Sequence, residues 1–377
     1  MKIVYELERL SVYGGMQRIM VEKACWWADA LGYDVTLLVV YRDESPAAFP
    51  VSDRIRIVRL GLTRATSVFA PLAIDRAVRR LAPDILVTCH VWGALACRLR
   101  THRAKVVYEA HVPRPAMHHQ WAIGVAERYA DAVVTLTRGD AANYVRARHV
   151  EVIPNFVDIS PARTPDYHAR RCIGVGRLSF EKDFSTMLRV WREVCEKSHE
   201  VSDAKRDESE MSHDVSEKGP DVSAKTSTSN WTLDIYGDGP ERADLERQIA
   251  ELELEGRVVL HAPTRHIAEC YAQSSLCLVT SCFEGFGLVM AEAMACGLPV
   301  VAFDCPYGPR DLVADGHNGR LIPMADTQAM VEAVASLMAS PELRERMGQA
   351  GAALSASYSK GSVMEQWQHL FESLLSS

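Results

Sequence analysis

The sequence predicts an α/β protein of two domains built on parallel, doubly wound sheets. Three observations predict it. A chain of 377 residues is long enough for two domains of ordinary size, each burying its own core. Short apolar runs alternate with helical periodicity and Gly/Pro stops, the rhythm of a parallel sheet whose ligands bind beyond the carboxyl ends of its strands. Residues 276–303 form a strand, turn, helix and strand whose Gly-punctuated turn, Ser281 to Gly287, aims unpaired backbone N–H groups at whatever lies above it. Such a turn favours an anion such as a diphosphate.

The elements follow in chain order. Residues 2–6 read as the first strand, and Ser11-Val12-Tyr13-Gly14-Gly15 as the loop into a helix over 16–31 that Gly32 ends. Gly14 and Gly15 let a backbone approach a ligand where a Cβ would clash. Strands over 35–41, 55–60, 85–89 and 106–110 then alternate with helices over 70–81 and up to about residue 100. Two of these strands run out into histidines, His90 and His111, and each histidine either faces a ligand or is a hydrogen-bonded strand-end residue. Val112-Pro113-Arg114-Pro115 cannot continue as helix. A helix over 117–129, a strand over 132–137 and a helix over 138–148 lead to Val152-Ile153-Pro154-Asn155-Phe156-Val157-Asp158, and the polar, Pro-containing stretch 160–168 reads as a hinge.

The second half opens on Cys172-Ile173-Gly174-Val175-Gly176-Arg177-Leu178-Ser179-Phe180-Glu181-Lys182-Asp183, followed by a helix over 183–197. Residues 198–230 lack aromatics and carry four basic against eight acidic side chains, so a disordered insertion is expected there. A strand over 231–236 enters Gly237-Asp238-Gly239-Pro240-Glu241, a turn into helix, and a strand over 258–260 follows. In the 276–303 unit Glu284 lies in the turn and Glu292 about a helical turn inside the helix. These two carboxylates can accept from different hydroxyls of one ligand. Helices over 330–338, 341–354 and 362–375 close the chain, the last with Trp367 and Phe371 at i, i+4.

Apolar residues make up 48% and charged residues 24%, a globular composition. MKIVYELERL lacks the basic and apolar regions of a signal peptide, and no window approaches the ~18 apolar residues of a spanning helix, so a cytoplasmic protein is expected. Ten scattered cysteines without a C-x-x-C pair argue against a metal cluster or disulfide framework. Residues 1–165 carry a net charge of +6 and the remainder −13. A basic first half suits an acidic acceptor or an anionic membrane surface, with Arg-rich helix faces lacking any partner as the plainer alternative.

The 284–302 run, EGFGLVMAEAMACGLPVVA, resembles the E-x7-E signature of the retaining glycosyltransferases of family 4, which have the GT-B fold and use nucleotide-sugar donors. The same family is echoed, in the same order, by the Gly14-Gly15 loop, His111 after its strand, I-P-N-x-V-D at 153–158, G-R-x4-K at 176–182 and G-D-G-P-E at 237–241. Three departures stand out. Phe156 replaces the usual Gly, Asp183 stands where Gly is common, and Cys305-Pro306-Tyr307-Gly308-Pro309 replaces a G-G-x-x-E/D form.

The resemblance implies two Rossmann-like doubly wound domains facing across a cleft. It assigns 1–160 to the acceptor, 161–360 to the nucleotide sugar, and 361–377 to a helix packing back on the first domain. Carried over, Glu284 holds donor-sugar hydroxyls, Glu292 the ribose, and Arg177 and Lys182 the diphosphate. His111 faces the donor sugar and acceptor; Gly14, Gly15, Gly237, Gly285, Phe286, Gly287 and Leu288 line the donor. The family implies retention at the anomeric carbon. Without a D-x-D no bridging metal is expected, and the nucleotide sugar, with UDP the family's commonest nucleotide, is a co-substrate beside which no cofactor is needed. A glycan or lipid-linked glycan is the implied acceptor and nucleic acid is not a partner. A non-catalytic GT-B subunit and a GT-B sugar-nucleotide epimerase remain alternatives.

Overall fold

A computed structural model describes residues 1–377 except 13, 100, 118–119, 162 and 211–229. The chain divides into two compact units, residues 1–156 with 357–377, and residues 157–356. The sequence boundaries of 160/161 and 360/361 lie four residues beyond each of these breaks.

The first unit holds strands β1 (Lys2–Leu7), β2 (Asp34–Tyr41), β3 (Arg56–Leu62), β4 (Ile85–Thr88), β5 (Lys105–Ala110), β6 (Ala132–Thr135) and β7 (Val150–Val152). They form one sheet in the order β3-β2-β1-β4-β5-β6-β7, and every pairing is parallel. Alternation along the strands sends side chains to two layers. Helices α1 (Gly15–Asp29), α2 (Ala70–Leu81), α3 (Val91–Leu99) and α4 (Gln120–Tyr129) supply most of the cover. Val4, Leu38, Leu86 and Val106 share a core with Ile74 and Val78 of α2, Ala94 of α3 and Ile123 of α4. On the other face Tyr5 packs against Trp27 of α1, and Trp27 meets Trp367 and Phe371 of the C-terminal helix (Lys360–Ser376) at ring-centroid distances of 5.8 and 5.3 Å. The i, i+4 pair read in the tail is therefore part of this unit's core.

The second unit holds β8 (Arg171–Val175), β9 (Thr232–Tyr236), β10 (Val258–His261), β11 (Leu276–Val279), β12 (Val300–Phe303) and β13 (Gly319–Ile322), ordered β10-β9-β8-β11-β12-β13 and again all parallel. Trp191, Phe184 and Trp231 anchor its core with Leu233, Leu278 and Phe303. Buried Arg344 donates to the carbonyls of Tyr167 and Met338, tying the start of this unit to the end of the helix Thr327–Ala339. Both sheets have the 3-2-1-4-5-6 arrangement, so each has a reversal point, β1/β4 in one and β8/β11 in the other, where α/β sheets bind ligands.

Several expectations are corrected. The helix expected over 138–148 is a single turn, α5 (Arg138–Ala141). The helix after Asp183 is α6 (Phe184–Glu210), whose bounds run past the expected end at residue 197 through 198–210. That stretch contains neither Gly nor Pro, the first of either being Gly219, so nothing in it stops the helix. The rest of the expected insertion, 211–229, lies outside the described residues. Strand β13, short and half-buried, carries no pattern strong enough to read from sequence. Among the described residues no helix is long and apolar enough to cross a membrane.

Candidate active site

At the reversal point of the second unit two turns lock together. The chain leaves β8 through Gly176-Arg177-Leu178-Ser179 into a 3-10 turn (Phe180–Lys182), and leaves β11 through Thr280 to Gly287. Cys282 N donates to the Glu181 carbonyl at 3.0 Å and Thr280 Oγ1 to the Asp183 carbonyl at 2.8 Å. This pairing fixes Lys182 against Glu284: Lys182 Nζ donates to Glu284 Oε1 at 2.6 Å, and Ser281 Oγ donates to the same oxygen at 2.8 Å. Glu284 is 7% exposed, so the pair is largely shielded from water and stronger than a surface bridge. Burial and the neighbouring Glu284 push the Cys305 thiol up to about 12, with Lys182 opposing.

Asp183 shows how a departure from the family's glycine is accommodated. Its φ is 45°, the left-handed region that glycine takes freely. Its carboxylate compensates by accepting from Thr186 N at 3.1 Å and Thr186 Oγ1 at 2.7 Å, capping the start of α6. Gly287, at φ 92°, is the cap residue of the helix Leu288–Ala295, which carries Glu292, itself 7% exposed. Burial, then the charge of Glu292, raises the phenol of Tyr271 and pushes the Cys296 thiol up to about 12.

The structure thus brings Lys182, Glu284, Gly285, Phe286, Gly287 and Leu288 to one strand end, with Glu292 along the helix behind them. Arg177 is exposed on the same β8 exit. Gly237 has a different reason to be glycine: a Cβ there would stand 1.9 Å from the Gly176 carbonyl oxygen, so it packs the 237–241 turn onto the Arg177 loop. Gly14, Gly15 and His111 belong to the first unit. Gly14 is extended at φ 177°, and a Cβ on it would touch nothing within 4 Å.

His111 follows β5 and is buried. Its Nε2 lies 3.2 Å from Oε1 of Glu109, which sits two residues earlier on the same strand face. Burial lowers the imidazole's pKa, opposed by Glu109, while Lys23 adds to the lowering. His90 stands at the β4 end, 3.8 Å from Glu8. Sequence reasoning misses Ser281, Glu109 and Lys23. A Glu at i−2 from a strand-end histidine is a usable signal, whereas Lys23 on an amphipathic helix is not.

The family profile described as Glycosyltransferase Family 4 matches residues 13–161, and that described as Glycosyl transferases group 1 matches residues 211–353. The chain is similar to the amylovoran biosynthesis glycosyltransferase AmsD of Erwinia amylovora, 29% identical over 252 residues, which is 64% of this chain and 62% of the relative. It is 36% identical over 140 residues to the poly(ribitol-phosphate) alpha-N-acetylglucosaminyltransferase of Staphylococcus aureus, covering 37% of this chain and 28% of that protein. Each match therefore spans less than two thirds of the relative's length. Among solved structures, a mutant of S. aureus TarM in complex with Fondaparinux, alpha-GlcNAc-glycerol and UDP superposes with a TM-score of 0.75 at 15% identity, over 98% of this chain and 99% of that one. With two profiles covering both units and two parallel Rossmann-like sheets of seven and six strands, the chain belongs to glycosyltransferase family 4 and has the GT-B fold.

Proposed function

We propose that this protein is a retaining glycosyltransferase that moves a hexose or N-acetylhexosamine from a UDP-sugar to a glycan acceptor. The observation that carries this reading is the Lys182–Glu284 pair, 2.6 Å apart at the reversal point of the second unit. A cation and a sugar-binding carboxylate side by side suit the two ends of a nucleotide sugar's reacting bond. Lys182, with Arg177 offering a planar fork, takes the diphosphate, whose negative charge grows as the sugar leaves. Glu284 accepts from sugar hydroxyls, held in place by Ser281, and Glu292 accepts from the ribose. Gly285 to Leu288 let the backbone and the start of the Leu288–Ala295 helix approach the diphosphate. With two cationic side chains on the leaving group, transfer is expected to proceed without a metal.

In the first unit the open Gly14-Gly15 loop and His111 serve the acceptor and the donor sugar. The bond from the anomeric carbon to the phosphate breaks on the face where the acceptor oxygen adds, and the leaving phosphate oxygen receives the acceptor's proton. The TarM complex with UDP and the relatives' names, which include amylovoran biosynthesis and a poly(ribitol-phosphate) alpha-N-acetylglucosaminyl transfer, support UDP, an α-linked product and a glycan or polymer acceptor. Surface polysaccharide, lipopolysaccharide or lipid-linked oligosaccharide assembly is the proposed setting. Val68, Phe69 and Leu72, each at least 59% exposed and flanked by the exposed Arg64, Arg76, Arg79 and Arg80, fit an acidic acceptor or an anionic cytoplasmic membrane face.

The test is a thermal-shift screen over UDP, GDP and ADP sugars, with and without EDTA, on the wild type and Glu292→Ala. A rise with UDP sugars that EDTA leaves intact and Glu292→Ala abolishes is the expected result. No rise with any nucleotide sugar would refute the donor site, and an inverted product anomer by NMR would refute retention.

A further inference from the structure

A cavity of about 480 Å³ opens in the second unit at the starts of β8 and β9, within the roughly 300–1,000 Å³ of small-ligand pockets. Among the described residues its lining includes three guanidinium groups, those of Arg163, Arg170 and Arg171, with the Thr232 hydroxyl and the Gln273 amide beside them. Asp166 is the one carboxylate among these described lining residues, and its Oδ1 already accepts from His168 N at 3.0 Å. The backbone that carries Arg170 and Arg171 is fixed. Thr232 N donates to the Arg170 carbonyl at 3.0 Å, Ser275 N to the Arg171 carbonyl at 2.9 Å, and Ser275 Oγ to the Ala169 carbonyl at 2.6 Å.

The charges decide what fits. Arg170 and Arg171 belong to the part of the chain, 166–377, whose net charge is −13, so a positive cavity there departs from its surroundings. Arg171 is half-exposed, and the carboxylate of Asp234 stands 3.9 Å from its Nε, beyond a hydrogen bond, with the other Asp234 oxygen 2.7 Å from His261 Nε2. A contact that long leaves the planar fork of Arg171 its donors for an oxyanion. The donor turn begins at Gly176, at the far end of β8 and about 17 Å from Arg171 at about 3.3 Å per residue, so an anion in the cavity is not the donor's diphosphate. We propose that the cavity is a second anion site, which holds a carboxylate-bearing stretch of the glycan chain while transfer proceeds at the other end of the sheet. Planar forks match planar carboxylates two bonds at a time, and the Thr232 hydroxyl and Gln273 amide suit the sugar hydroxyls between them. Only the glycan part of the inference rests on the transferase reading, whereas the anion site stands on the cavity's own lining.

The experiment is isothermal titration calorimetry of the full chain with trigalacturonate, an acidic glycan, and with tripolyphosphate, an anion without sugar. Trigalacturonate should bind the wild type, and about tenfold or more weakly when Arg170→Gln and Arg171→Gln are combined. Tripolyphosphate should fill two sites, one lost in that double variant and the other in Lys182→Met. Both cavity arginines are exposed, so the double variant should melt with the wild type. Absence of trigalacturonate binding to the wild type, which needs no variant to fold, overturns the proposal, even where tripolyphosphate binds. So does binding of trigalacturonate that a folded double variant leaves unchanged. If the arginine effect is seen and Lys182→Met removes no tripolyphosphate site, the cavity stands and the donor-site reading falls.

Discussion

Lys182 and Glu284 lie 102 positions apart in sequence and share one hydrogen bond, which Ser281 supports from the turn. A diphosphate would compete for the Lys182 ammonium and so free Glu284 for sugar hydroxyls. Lys182→Met and Glu284→Gln should each lower kcat/KM by about 100-fold or more while the fold is kept, as steady-state kinetics beside circular dichroism will report. Ser281→Ala should cost far less, since it removes one of two donors to the carboxylate. Gly237 is predicted by its surroundings to tolerate nothing larger: Gly237→Ala forces the Gly176 carbonyl to move and should lose about 1–3 kcal/mol in urea unfolding. Cys305 is buried and its thiol stands near 12, so iodoacetamide at pH 8 should label it only after unfolding.

At the scale of elements, two contacts outweigh local propensity. The turn into α6 runs through a left-handed Asp183 that also caps the helix, so Asp183→Gly should change stability by only a few tenths of a kcal/mol. Asp183→Ala loses the cap and keeps the strain, and about 1 kcal/mol or more should go with it in thermal melts. The C-terminal helix is readable as a helix from its periodicity, and Trp367 and Phe371 as its apolar pair. Its placement against Trp27, and under Lys23, comes from packing. Trp367→Ala should destabilise the first unit by about 3–5 kcal/mol. The single-turn α5 and the extended α6 depart from the sequence reading for opposite reasons. Asp140, read as a helix residue, accepts through its carboxylate from Arg114 N and the Asn143 amide at the end of α5, while α6 runs on through a polar stretch that holds no helix breaker.

Over the whole molecule the second unit is one uninterrupted stretch, whereas the first needs residues from both ends of the chain. Residues 157–356 expressed alone should fold and retain nucleotide-dependent thermal stabilisation, and residues 1–156 without 357–377 should not fold, because Trp27 and Lys23 would lose Trp367 and Phe371. The exposed Val68, Phe69 and Leu72 among arginines should make the chain float with vesicles rich in anionic lipid and not with zwitterionic ones, and Phe69→Ser with Leu72→Ser should abolish that flotation. Alternating strands and helices and the Gly-punctuated turn before the Leu288–Ala295 helix were legible, and Glu284, Glu292, Arg177, Lys182 and His111 could be named as candidates, because period, glycine spacing and motif order are local properties of the chain. Sequence by itself determined the fold class and the alternation of most strands and helices, β13 excepted. Only the tertiary structure decided that Lys182 reaches Glu284, that Gly237 exists for Gly176, and that Lys23 meets Glu109 beneath Trp367. Those relations join residues tens to hundreds of positions apart, and burial, which sets their charge states, exists only once the sheets and helices have packed.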